Sequence, residues 1–202
     1  MTVLSFEPNP QQKSALRELA RAGASEAANA LSRLLGSAVT LEEPQVQRAT
    51  GPEIAQLLGG ELAPVNAVTL EFSGAFTGQL LLVLDEGEAL ALASALTGME
   101  PEQLEVELAL SAVAEVANIL GSACLNALGR QVGALLLPAP PVQHGAPVRE
   151  LLAGPLGRRL SAGGAVLAWA RLLTDKSPTL SARLFAIPDP ATLPGLVTRL
   201  GA

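Results

Sequence analysis

Apolar residues recur every three or four positions over two long stretches, about 10–35 and about 102–130. That is the period of an α-helix with one buried side. In the second stretch Val113, Val116, Ala117, Leu120, Cys124 and Ala127 fall on one face at roughly 100° per residue. Asn9 and Pro10 supply an N-cap and a first-turn proline for the first stretch. Gly36 and Gly133 stand where each helix stops. The chain then turns extended, at 38–47 in the first half and at 134–143 in the second. A short helix is predicted at 51–58, before Gly59 and Gly60. Strands follow at 65–73 and 77–84, with Gly74 at the turn, and then a helix at 86–97. The second half repeats the plan with strands near 164–173 and 179–187. A proline-bearing helix near 190–200 closes it. Pro138, Pro140, Pro141 and Pro147 restrict their segment to a loop or an edge strand, because proline offers no amide to a ladder. Strands joined by short turns predict an α+β fold, with helices packed on a largely antiparallel or mixed sheet.

The two halves are copies. Offset by 97 positions, residues 14–44 and 111–141 are identical at 11 of 31 places without a gap. Alanine identities carry little weight between Ala-rich helices. The pairs Ser14/Ser111, Glu18/Glu115, Ser25/Ser122, Asn29/Asn126, Gly36/Gly133 and Pro44/Pro141 carry more. The expected organisation is one domain over 1–202, holding pseudo-repeats of about 10–98 and about 102–202.

Composition narrows the function. Hydrophobic residues make up 49% of the 202 positions, enough for a packed core. Four Phe, one Trp and no Tyr leave few stacking platforms, and a net charge of -6 repels a phosphate backbone. No nucleic-acid partner is expected. One Cys and one His exclude a disulfide framework and leave almost no zinc-ligand set, so no metal site is expected. The opening MTVLSFEPNPQQ lacks a basic n-region and an apolar h-region. The longest purely apolar runs fall far short of the roughly 20 residues of a membrane span. The expectation is a cytoplasmic protein without membrane insertion.

The side of the second long helix opposite its core carries Ser111, Glu115, Asn118 and Ser122, within a stripe about 60° wide. The first helix repeats the geometry with Ser14, Glu18, Arg21 and Ser25. Any surface helix shows a polar stripe. This one has Glu as its sole charge and lies among Ala and Ser, small residues that admit a close neighbour. It also keeps a fixed spacing to a distant proline.

The spacing Ser111-x3-Glu115-x2-Asn118-x22-Pro141 resembles the signature of the CheC/CheX/FliY family of response-regulator phosphatases. In the first half Ser14, Glu18 and Pro44 match, but Arg21 replaces the Asn. Two copies over nearly the whole chain resemble the CheC branch of that family. The resemblance implies two long pseudo-symmetric helices on a six-stranded, mostly antiparallel sheet. It also implies an enzyme, a phosphatase hydrolysing the aspartyl-phosphate of a CheY-type receiver and ending a chemotaxis or motility signal. The receiver would bring a divalent metal, Mg, and a Lys, so this chain would bind no cofactor. Asn118 would orient the attacking water, and Glu115 would dock to the receiver Lys. The resemblance allows a CheD-type partner and implies an internal dimer, for which a monomer is the simpler expectation, the sequence itself not giving the oligomeric state. The alternative it carries is an adaptor without hydrolysis, like the middle domain of the flagellar switch protein.

Arg21 marks a degenerate second site. Its guanidinium has donors and no acceptor, so it does not hold a water as an amide does. An i,i+3 pair with Glu18 is expected instead. The remaining candidates read as structure. His144 is a lone loop histidine, Cys124 a small core residue and Trp169 strand packing. Asp85, Glu86 and Glu88 read as the acidic first turn of a helix. Arg158 and Arg159 form too short a basic run to bind nucleic acid.

Overall fold

The computed structural model describes residues 6–154, 156–157, 160, 164–174 and 180–202. Two long helices dominate one side, α1 (Pro10–Leu35) and α4 (Val106–Val132). Helix α1 opens on a reciprocal cap: Gln12 N donates to Asn9 Oδ1 at 2.9 Å, and Asn9 N donates to Gln12 Oε1 at 3.0 Å. Both helices end on glycines in the left-handed conformation, Gly36 at φ 59° and Gly133 at φ 65°. Helix α4 begins four residues later than the periodicity suggests, because a 3-10 turn, Pro101–Gln103, occupies the approach.

The shorter elements follow in chain order. The first half adds β1 (Val39–Leu41), β2 (Gln45–Ala49), α2 (Gly51–Leu57), β3 (Pro64–Gly74), β4 (Gly78–Leu84) and α3 (Glu86–Thr97). After α4 come β5 (Leu136–Pro138), β6 (Val142–Pro147), α5 (Val148–Ala153), β7 (Ala165–Thr174), β8 (Ser181–Pro188) and α6 (Leu193–Arg199). The eight strands lie on six lines in the order β1-β7-β8-β4-β3-β5, with β2 continuing β1 along β7 and β6 continuing β5 along β3. Every pairing is antiparallel. The two outer lines are interrupted at Pro44 and at Pro140–Pro141, where a ladder amide is missing. That is why six expected strands appear as eight segments.

The copies are interlocked. The outer strands of the first half, β1 and β2, pair with β7 of the second. Those of the second half, β5 and β6, pair with β3 of the first. The two hairpins meet at β4 and β8, with Leu81 opposite Phe185.

Strand alternation sorts the core into two layers. On one face Leu70, Leu80, Leu82, Leu172 and Leu184 pack under α1, α4, α3 and α6. On the other, Ala67, Leu81, Val83, Leu167 and Phe185 pack under α2 and α5. The long helices touch closely at Gly23, where an added Cβ would lie 2.7 Å from Cys124 Sγ and 2.9 Å from Leu128 Cδ2. Helix α4 is long and apolar enough by composition to cross a membrane, although Ser111, Asn118 and Ser122 interrupt its apolar runs. Here it is a core helix: Val113, Val116, Ala117, Leu120 and Leu125 are buried against the sheet and α1.

Candidate functional site

Helix α4 lies over the outer line formed by β5 and β6. Gln143 Nε2, on β6, donates to the carbonyl of Leu110 at 2.9 Å and fixes the strand to the helix one residue before Ser111. Pro141 is half-buried in the gap between the two strands. Along the helix Ser111 and Glu115 are exposed, while Asn118 and Ser122 are half-buried. The buried face beneath them holds Val116, Ala117 and Leu120, so the stripe points away from the core. Glu115 and Asn118 are three residues apart, one helical turn. Among the described residues, neither side chain has a hydrogen bond or an ion pair with the rest of the protein. A carboxylate and an amide held on a rigid helix and committed to no internal partner are available to an incoming molecule.

The first-half counterpart is built differently. Ser14 and Glu18 are exposed on α1, and Pro44 is buried between β1 and β2. Arg21 makes the expected pair with Glu18, at 3.8 Å. Its closer partner is Glu43, which receives a hydrogen bond from the Arg21 guanidinium. Arg21 is thus tied to the strand connection rather than offered to solvent alone. Sequence reasoning missed Glu43, but the signal was present. With the same offset of 97, Arg21 and Glu43 correspond to Asn118 and Pro140, so the cation and its acid occur together and are replaced together.

The remaining candidates are structural. Cys124 is buried where α4 meets Gly23 of α1, and burial pushes its thiol up to about 12. Trp169 stacks on Phe185 with ring centroids 6.0 Å apart. His144 Nε2 lies 3.0 Å from Thr69 Oγ1, bridging β6 and β3. Asp85 and Glu88 form the reciprocal cap of α3, each accepting from the other's amide at 2.7 Å, and Glu86 is exposed beside them. Arg158 and Arg159 lie outside the described residues. Among the described residues no group of three or more His, Cys, Asp or Glu is placed to hold a metal ion.

Known proteins share this architecture. A family described as chemotaxis phosphatase CheX matches residues 66–147, a span that includes Ser111, Glu115, Asn118 and Pro141. The chain is 26% identical over 198 residues to the CheY-P phosphatase CheC of Bacillus subtilis (strain 168), covering 95% of both chains. In structure it is similar to Thermotoga maritima FliY, with a TM-score of 0.75, 18% identity, and coverage of 97% of this chain and 98% of that one. It is also similar to a chain of the CheX-CheY-BeF3-Mg+2 complex from Borrelia burgdorferi. There the TM-score is 0.56 and the identity 16%, over 83% of this chain and 96% of that one.

Proposed function

Because the chain belongs to the CheC/CheX/FliY family, we propose that it accelerates hydrolysis of the aspartyl-phosphate on a CheY-type receiver, with its working site at Glu115 and Asn118. The observation that carries this reading is the contrast between the two copies. Glu115 and Asn118 stand without internal partners among the described residues, whereas Glu18 and Arg21 are consumed by the ion pairs with each other and with Glu43.

The chemistry asks little of the protein. A water oxygen attacks phosphorus in line with the bond to the aspartyl oxygen, that bond breaks, and the electron pair leaves with the receiver carboxylate. The water's proton ends on the phosphate released. An acyl phosphate is already activated, so catalysis is mainly placement of the water and stabilisation of phosphoryl charge. The Asn118 carboxamide accepts a hydrogen bond from water at its oxygen and donates from its nitrogen, and it does not compete as a nucleophile. Helix α4 holds it rigidly. Glu115, one turn away, meets the receiver's active-site Lys and fixes how the receiver lies on the helix. Placement of this kind is worth on the order of 10²-fold or more. The receiver contributes its own divalent metal and Lys to the phosphoryl charge. Arg21 lacks an acceptor, so each chain carries one hydrolytic site.

The test is dephosphorylation of a phosphorylated CheY-type receiver, followed with wild type and with Asn118→Ala. The variant is expected to lose most of the acceleration while keeping the wild-type unfolding midpoint, because a half-exposed polar substitution changes stability by less than about 0.5 kcal/mol. Full activity in Asn118→Ala overturns the reading. The adaptor alternative expects no acceleration by wild type either.

A further inference from the structure

Eight large hydrophobic side chains are exposed among the described residues, and five of them lie on the two elements that carry the site. Val106 and Leu108 are in the first turn of α4, and Leu135, Leu137 and Val142 are along the outer line around Pro141. All five are between 41% and 72% exposed. The internal repeat provides a control. With the offset of 97, the same places in the first half hold Asn9, Gln11, Ala38, Thr40 and Gln45. None is a large apolar residue, although the backbone plan is the same. Apolar surface left in water gains nothing for a solitary molecule, and a patch confined to one of two equivalent faces marks an interaction site.

We infer that four of these aliphatic residues, Leu108, Leu135, Leu137 and Val142, form the surface on which the phosphorylated receiver is held, Val106 facing a separate groove beside Leu90, and that the first half lacks docking as well as catalysis. The inference rests on the phosphatase reading of Glu115 and Asn118. Its geometric basis is continuity with that pair. Leu108 lies two helical turns before Glu115, seven residues away, and so on the same face. Beyond Asn118, the polar line continues through Ser122 to Asn126, which lines a groove of about 450 Å³ together with Leu125, Gly129, Arg130 and Leu135. The site therefore sits between an exposed leucine on one side and an aliphatic-walled groove on the other. Each is about 10–16 Å along the helix from the catalytic pair, within the radius of an interface of standard size. Position 129 is glycine because the chain turns back closely over it: an added Cβ would lie 2.6 Å from the Ala134 carbonyl oxygen. Its first-half counterpart is Ser32, whose hydroxyl donates to the Ser37 carbonyl at 2.6 Å and ties off the same turn.

The experiment is a binding titration and a steady-state assay with the double variant Leu108→Ser/Leu135→Ser. The probe for binding is a CheY-type receiver activated with beryllofluoride, and the substrate is the phosphorylated receiver. Both substitutions are at exposed positions, so the fold is retained. Binding is expected to weaken by about tenfold or more, with KM rising in parallel and kcat at saturating receiver within about twofold of wild type. Leu34→Ser, at the exposed leucine in the last turn of α1, is expected to leave both unchanged. Wild-type binding by the double variant, or an equal loss with Leu34→Ser, overturns the inference. If wild type binds the activated receiver and the double variant does not, yet neither accelerates hydrolysis, the docking surface stands and the phosphatase reading falls. If wild type does not bind the receiver at all, both fall.

Discussion

The guanidinium of Arg21 is ion-paired with Glu43, joining α1 to the connection between β1 and β2. The corresponding positions 97 residues later hold Asn118 and Pro140, which form no such link. The two copies of a duplicated surface thus differ: one presents an available amide, the other a closed ion pair. Arg21→Asn alone is expected to add no dephosphorylating activity to wild type, because Glu43 and the polar surface around it remain. An exposed pair of this kind contributes at most about 1 kcal/mol, so the variant should also unfold near the wild-type midpoint. Phosphate release measured with Arg21→Asn in an Asn118→Ala background isolates the first site, and a recovered rate contradicts the expectation.

Close contact between the long helices depends on the missing side chain at Gly23. A methyl group there would meet Cys124 Sγ and Leu128 inside van der Waals distance. Gly23→Ala is expected to destabilise the protein by about 1–3 kcal/mol through forced separation of α1 and α4. Urea unfolding measures this directly. An unchanged midpoint would mean that the helices part without cost.

Cys124 lies at the same crossing, and burial holds its thiol at about 12. Only a thiolate reacts quickly with disulfide reagents. The native protein is therefore expected to be inert to such a reagent at mildly alkaline pH, with one equivalent reacting on denaturation. Rapid labelling under native conditions would place the residue in reach of solvent.

Glu88 gives a pH dependence with a definite sign. Burial raises its pKa above the ordinary 4.5; the Asp85 amide opposes the rise, the Asp85 charge adds to it, and Arg183 and the Ser181 amide oppose it. The net direction is upward. The folded state then holds this proton more tightly than the unfolded chain, so stability is highest below the unfolded value and falls as pH rises through the folded one. Glu88→Gln keeps an acceptor for the Asp85 amide and removes the titration. Its denaturation midpoint is expected to fall less than that of wild type as pH rises above the ordinary 4.5 and through the raised folded value. Parallel curves for the two proteins would contradict the assignment.

The parts of the fold that repeat at short range were legible in the sequence. Apolar periodicity and the stop glycines located α1 and α4, and Gly74 located the hairpin of β3 and β4, because each signal sits within a few residues of the structure it specifies; β7 and β8 followed from the repeat. The prolines also placed β5 and β6 at an edge correctly. The exchange of outer strands between the halves was not legible. Pairing Gln45 with Trp169 joins residues 124 positions apart, and no local pattern names a partner at that distance. At the site, the Glu18–Arg21 pair followed from helical spacing, whereas Glu43 reaches Arg21 only through the turn after α1. The exposed leucines were invisible as a group because, in sequence, an aliphatic residue at a helix start or strand edge looks like core.

The exchanged outer strands bear on how such a molecule can change over time. Since β1 and β2 flank the partner repeat, and β5 and β6 return the favour, removing the copy that carries Arg21 would strip its neighbour of an edge and bare a row of ladder amides. The copy that carries Arg21 is structurally indispensable to the copy that carries Asn118. It is free to drift in chemistry for as long as it keeps its shape.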